Sequence, residues 1–357
     1  MDATQPTLDD KSSLDPGFAL YLERIPKTDL HCHLIGAIRS STLAELAQRH
    51  GVKLPRPAEQ LYTFASFYDF LEVLNLAATV LRTRDEFARV AYEVLEDGLR
   101  LGNLLHAELL FNPQYHYPQG VQYETIVDGL IDGVAAAKRD LGVSALLVAS
   151  FDRIISTRGA LEILNHVLAH RRDEVVGIGL DGAERNGKPA RFFEVYQRAG
   201  HAGLKRTAHV CEDNQTLEEA PPIHYAICRD ALGCDRLDHG YNLLADDGMV
   251  RRAREEGLWF NTCTVTSVTR NLARRRASIG RMLAEGLKVT VNTDDPAMFK
   301  TDIADSYLRL FADQPLWGHT EACRFSLAGI DASWLDDGEK RKLRARFERQ
   351  LAELEPA

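Results

Sequence analysis

Two histidines stand two positions apart in Lys27-Thr28-Asp29-Leu30-His31-Cys32-His33-Leu34-Ile35-Gly36. In a β-strand, residues i and i+2 point to the same face, so the two imidazoles would lie side by side while Cys32 turns away. On spacing alone they could equally be two loop histidines. Three later strand-like stretches, however, end in residues able to complete a metal site: His209 before Val210-Cys211-Glu212-Asp213, His239 in Asp238-His239-Gly240, and Asp294-Asp295 in Asn292-Thr293-Asp294-Asp295-Pro296. Three neutral imidazoles and one carboxylate, with a position left for water, suit a catalytic Zn²⁺. The expected ligands are His31, His33, His209 and Asp294, holding one zinc per chain. Two adjacent buried carboxylates, Asp294 and Asp295, would moreover be costly without a metal or a proton between them.

What must position these residues is a series of short apolar strands, expected over 27–34, 104–111, 144–151, 175–180, 206–211, 236–239, 258–263 and 288–292. Helical patterns fall between them, among them 41–50, 123–141, 161–171, 192–199, 222–232, 248–256 and 279–286. Strict alternation of eight strands with helices predicts an α/β fold, a (β/α)8 TIM barrel in which side chains at the C-terminal strand ends converge on one site. Residues 41–101 show no strand pattern, so a helical insertion is expected after the first strand. Its aromatics, Phe64, Phe67, Tyr68 and Phe70, suit helix packing or a hydrophobic lid. Residues 1–16 are polar and aperiodic and read as a flexible tail; the whole of 1–357 is expected to be a single domain.

Composition narrows the function. The chain has 357 residues, 45% hydrophobic and 27% charged, with a net charge of −9, which argues against nucleic acid or an anionic membrane as partner. The runs Arg251-Arg252 and Arg274-Arg275-Arg276 read as solvated helix faces. No apolar run reaches the roughly 18 residues of a membrane span, and the N-terminus has no signal-peptide pattern. The six cysteines, at positions 32, 211, 228, 234, 263 and 323, lack metal-type or disulfide-type spacing, so a reduced, cytoplasmic setting is expected. A homo-oligomer is compatible with all of this.

Taken together, His31-Cys-His33-Leu-Ile-Gly36, His209-x-x-Glu212, Asp238-His239-Gly240 and Asn292-Thr-Asp294-Asp295-Pro296 resemble the motifs of the adenosine/adenine deaminase family of the metal-dependent amidohydrolases. The resemblance spans about residues 26–330. It implies one zinc in a (β/α)8 barrel and hydrolytic loss of the amino group from C6 of a small-molecule purine. By position, Glu212 resembles the acid that protonates ring N1. His239 resembles the residue that deprotonates or orients the attacking water, Asp295 the carboxylate on the other side of the purine, and Gly182 the glycine whose backbone touches the base. The Phe64–Phe67 region resembles the family's lid. The chemistry is consistent: zinc can lower the pKa of bound water from 15.7 to about 7, and a positioned acid contributes typically 10²–10⁴-fold. The Pro-Cys-x-x-Cys of nucleic-acid deaminases is absent.

Three stretches depart from the pattern. Adenosine deaminases carry at position 35 an acid that contacts the 5′-hydroxyl, and adenine-specific relatives a Glu; Ile35 accepts no hydrogen bond. Plain adenosine is therefore in question, and adenine or a 5′-modified adenosine is the alternative. Val210-Cys211 replaces Ala-Gly, and by strand alternation Cys211 would share the face of His209, as a small apolar filler or near the metal. Cys263-Thr-Val-Thr266-Ser267 replaces Cys-Pro-Thr-Ser-Asn and implies an altered pocket wall.

Overall fold

The apolar segments pair side by side, all parallel, in the computed structural model of the chain. It describes residues 13–64, 67–266 and 272–354, without the side chains of 67 and 68. The strands are β1 (Lys27–His33), β2 (Leu104–Phe111), β3 (Ser144–Asp152), β4 (Val175–Asp181), β5 (Lys205–Arg206), β6 (His209–Val210), β7 (Leu237–His239), β8 (Trp259–Cys263) and β9 (Lys288–Asn292). They pair in the orders β1-β2-β3-β4-β5 and β6-β7-β8-β9. Strands such as Leu104–Phe111 are buried along their whole length, the near-continuous apolar run of a parallel strand covered by helices outside.

Two seams close these ladders into a barrel. In the first, β5 and β6 together form one stave, and the Thr207 N–H between them donates to the Ile178 carbonyl of β4 at 3.0 Å. The sequence suggests one continuous strand over 206–211; it is broken because the Thr207 carbonyl accepts instead from the Tyr196 hydroxyl at 2.6 Å and the Thr207 hydroxyl donates to Asp238 at 2.8 Å. In the second seam β9 meets β1. The Asp294 N–H donates to the His31 carbonyl at 2.9 Å, the His33 N–H donates to the Asp294 carbonyl at 2.8 Å, and Asn292 Oδ1 accepts from the Leu30 N–H at 2.8 Å.

The helices are α1 (Pro16–Arg24), α2 (Ser40–Arg49), α3 (Phe67–Val80), α4 (Arg84–Gly102), α5 (Tyr123–Leu141), α6 (Thr157–Ala169), α7 (Phe193–His201), α8 (Ile223–Ala226), α9 (Asp247–Glu256), α10 (Leu272–Ala284), α11 (Ile303–Ala312), α12 (His319–Ala332) and α13 (Asp337–Leu354). Three of them, α2 to α4, lie between β1 and β2. The break before α4 is set by Thr83 and Glu86, which form a reciprocal capping box. After α8 the chain continues as a π-helical turn over 227–232. Of the expected tail, residues 1–12 lie outside the described residues. The part from Ser13 on is tied down: Asp15 caps α1, and Phe18 packs on Phe311 at 5.8 Å. Among the described residues no helix is long and apolar enough to cross a membrane.

The N-terminal end of the barrel is plugged by charge. Arg236, 1% exposed, donates to Glu108 at 2.6 Å and to the Ala332 carbonyl at 3.1 Å, with its guanidinium 4.0 Å from the Trp334 ring centre. Burial works to raise the Glu108 carboxyl, and the guanidinium outweighs it and holds the group below its ordinary value. Removing one partner strands a buried charge. An Arg236→Met exchange is therefore expected to cost about 3–5 kcal/mol of stability, read from the shift of the denaturant midpoint, while adding Glu108→Leu recovers part of the loss.

Candidate metal and substrate site

The β9–β1 seam delivers three of the four expected ligands to one point. Because Asp294 is hydrogen-bonded to the backbone of both His31 and His33, its carboxylate reaches 3.5 Å from the Nε2 of each. His209, from the end of β6, brings its Nε2 to 3.1 Å from His33 Nε2. One donor atom from each of His31, His33, His209 and Asp294 lies within 4.8 Å of the others, a set able to hold a metal ion. The turn that aims the carboxylate has a cost: Asp294 sits in the left-handed backbone region at φ 68°, which for a non-glycine residue is of order 1–3 kcal/mol.

The polar surroundings orient these ligands. Asp238, fully buried beneath them, lies 3.1 Å from His31 Nδ1 and 3.7 Å from His209 Nδ1. It also accepts from Thr207 at 2.8 Å and from Asn261 at 3.0 Å. A cation fits the donor set. His31 Nε2, on the side of Asp294, is buried with no hydrogen-bond partner, and two imidazole nitrogens face each other between His33 and His209. Burial acts against charge on every ring. Asp238 and Asp294 overcome it at His31, pushing that group up to about 10, whereas His33 is driven down to about 4 and His209 well below the ordinary imidazole range.

Around this cluster a cavity of about 340 Å³ opens at the C-terminal strand ends, lined in part by Glu212, His239, Asp295, Gly182 and Ile35. Glu212 Oε1 accepts from Asn214 at 2.6 Å and from Arg275 at 2.9 Å. Burial raises the Glu212 carboxyl to about 7 against the pull of Arg275. His239 Nε2 is 3.9 Å from Glu212, and burial drives this imidazole well below its ordinary pKa. Burial and the adjacent Asp294 push Asp295 well up. Gly36 is needed to seat Asp295, because a Cβ there would fall 1.8 Å from its Oδ1. Gly182 turns out of β4 at φ 80°.

Several sequence expectations are corrected. Cys211 does not share the His209 face: its φ of 52° breaks the alternation, and its thiol donates to the Pro221 carbonyl at 3.3 Å, away from the cavity. Arg275 and Arg276 are not solvated. Arg275 is fully buried on Glu212 and Asp213 with its guanidinium 4.7 Å from the Tyr241 ring centre, and Arg276 pairs with Asp313. Phe64 does not line the cavity; Phe70, Leu71 and Leu74 do, and Phe64 packs edge-on behind Phe70 at 5.4 Å. The side chain of Phe67, like Ser267, lies outside the described residues. Missed altogether was a polar wall of Asn112, Tyr115, Asp152 and Asp181. Asn112 donates to Asp181 at 2.8 Å and Tyr115 to Asp152 at 2.7 Å. Asp152 and Asp181 end β3 and β4 one residue beyond the expected strand ends, and Asn112 follows β2.

A closed parallel barrel with three histidines and an aspartate gathered at its C-terminal mouth defines a metal-dependent hydrolase of the amidohydrolase type. Residues 26–350 match the adenosine deaminase family, and the chain belongs to it. It is 32% identical over 341 residues to an adenine deaminase of Rhodospirillum rubrum, covering 94% of this chain and 98% of that one. A zinc-bound amidohydrolase from Burkholderia ambifaria superposes with a TM-score of 0.86 at 31% identity, over 96% of this chain and 94% of that one. An adenine deaminase from Arthrobacter aurescens does so with 0.83 at 32%, over 92% and 98%.

Asp238 places a buried negative charge behind two candidate ligands, a role whose loss typically costs 10–100-fold in metal affinity. Asp238→Asn is expected to lower zinc affinity by about that factor, measured by competition with a chromophoric chelator, while the barrel stays folded.

Proposed function

We propose that this chain hydrolyses the C6 amino group of an adenine-type purine to the 6-oxopurine and ammonia. The observation that carries the reading is that Glu212, His239 and Asp295 face one cavity beside the His31–His33–His209–Asp294 cluster. A zinc ion held there would supply the Lewis acidity that brings water within reach of ionisation at neutral pH.

The residues divide the remaining work. Oε1 of Glu212 is occupied by two donors, so the proton of its carboxylic acid belongs on Oε2, free to pass to purine N1 as electrons arrive there from C6. His239, neutral through burial, is the base beside the attacking water. Asp295, kept protonated by burial and by Asp294, offers a hydrogen bond to the ring nitrogen on the imidazole side, and the backbone at Gly182 borders the base.

For the substituent on the purine, Ile35 is decisive. A 5′-hydroxyl buried against Ile35, itself 3% exposed, loses its hydrogen bonds to water at a cost of about 1–3 kcal/mol. The adenine deaminases among the relatives support adenine as substrate. The apolar wall of Ile35, Phe70, Leu71, Leu74 and Phe299 supports, as a second reading, an adenosine with an apolar 5′ group.

Glu212→Gln is expected to lower turnover by about 10²–10⁴-fold with zinc content unchanged; full turnover in that variant would refute the proposed acid. Because Glu212 must be protonated, activity falls as pH rises through its folded pKa. Arg275 holds that pKa down, so Arg275→Met moves the alkaline limb of the kcat/KM profile to higher pH. In ultraviolet assays offering adenine, adenosine and a 5′-thioether adenosine, adenine or the thioether is expected to exceed adenosine at least about tenfold in kcat/KM, the equivalent of one unmade hydrogen bond.

A further inference from the structure

Glu212 is held by its backbone as well as by its side chain. The left-handed conformation of Cys211, at φ 52°, takes the chain out of β6, so the Glu212 N–H leaves the ladder and needs a partner inside the protein. That partner is Glu184, which follows the Gly182 turn after β4: its Oε1 accepts the Glu212 N–H at 3.2 Å. Oε2 of the same carboxyl group lies 2.5 Å from Nδ1 of His224 on α8. Glu184 is fully buried and His224 is 3% exposed. Both lie behind the cavity wall that Gly182, Ala183, Arg185 and Glu212 help to form. Three more bonds close the clasp. The Arg185 N–H donates back to Gln215 Oε1 at 3.1 Å, Asn242 Nδ2 donates to the Glu212 carbonyl at 3.0 Å, and the Cys211 thiol donates to the carbonyl of Pro221, just ahead of α8, at 3.3 Å. The turn that carries Gly182 and the turn that carries Glu212 are thereby tied into one body.

We propose that Glu184, steadied by His224, is a positioning residue for the proton donor: it fixes the Glu212 peptide so that Oε2 of Glu212 faces the purine. The inference rests on the reading of Glu212 as the acid. A carboxyl group suits the task because its two oxygens serve two donors at once, the peptide on one side and the imidazole on the other, and the imidazole keeps it from rotating away. Asn214 and Arg275 hold only Oε1 of Glu212, which leaves the acid free to pivot about that atom. The Glu184 bond removes this freedom at the other end of the residue. A displacement of about 1 Å in such a group costs on the order of 10²-fold in rate.

The test compares Glu184→Leu, Glu184→Gln, His224→Phe and His224→Gln with the wild type in kcat, KM, zinc content, thermal midpoint and hydrogen exchange of the Glu212 amide. In Glu184→Leu, kcat is expected to fall about 10²-fold with KM and zinc content held, while the Glu212 amide exchanges faster. Glu184→Gln keeps an oxygen that accepts the Glu212 N–H and is expected to recover most of the loss. His224→Phe is expected to lose a smaller part of kcat, and His224→Gln, whose amide can donate in place of Nδ1, to regain it. Undiminished kcat in Glu184→Leu overturns the proposal. So does a loss carried by KM or by zinc content, or a Glu184→Gln no better than Glu184→Leu. Should Glu184→Leu not fold, the His224 pair decides: wild-type kcat in His224→Phe, or no recovery in His224→Gln, overturns it equally. A wild type that deaminates no 6-aminopurine would instead overturn the proposed function, which keeps the two claims apart.

Discussion

The closure of the barrel between its last strand and its first governs the rest of the molecule. Backbone hydrogen bonds from Asp294 to the carbonyl of His31, and from His33 to the carbonyl of Asp294, complete the sheet and at the same time set a carboxylate against two imidazoles. The same seam is pinned below by Asn292 on Leu30, and by the Thr293 hydroxyl, which donates to Asp29 at 2.5 Å. A stave that slipped by one residue would turn the histidines to the opposite face. Fold closure and ligand geometry are thus one event, and the free energy of closing the sheet offsets the left-handed backbone of Asp294.

Two layers of buried charge lie along the barrel axis. Toward the N-terminal end Glu108 and Arg236 neutralise each other and tie β2 and β7 to the segment after α12. At the C-terminal end Asp238 sits under the histidines, and Arg275 reaches in from α10 to Glu212 and Asp213. The first layer is structural: Glu108 accepts from Arg236 and from the Trp334 N–H, so the charges neutralise each other inside the protein. The second gathers three imidazoles and a carboxylate at one point, a set able to hold a cation, and that marks the reactive end.

Much of the fold was legible because parallel strands in a barrel read as short buried apolar runs, and the i, i+2 spacing of His31 and His33 placed both on one face. The alternation rule failed where the backbone left the strand. Cys211, His239 and Asp294 all have positive φ, so two-residue periodicity does not tell which way the side chains point. Cys211 was misplaced for that reason. Asp152 and Asp181 were passed over because each expected strand stopped at the last apolar residue, one position short of the polar residue that ends it. Arg275 was hidden by its neighbours, because three consecutive arginines look like a solvated helix face until the partners Glu212 and Asp213, over 60 positions earlier in the sequence, are folded against them. Of the aromatics after α2, Phe70 reaches the cavity and Phe64 packs against it, a distinction with no signature in the sequence.

Whether one ion, held where β9 meets β1, makes this barrel a purine deaminase is decided by stripping the protein with a chelator, checking by circular dichroism that it remains folded, and restoring zinc one equivalent at a time while ammonia release from 6-aminopurines is followed. The account predicts a folded, inactive protein whose activity returns in full at one ion per chain. Undiminished activity in the metal-free protein, or none with any 6-aminopurine after full reloading, would contradict it.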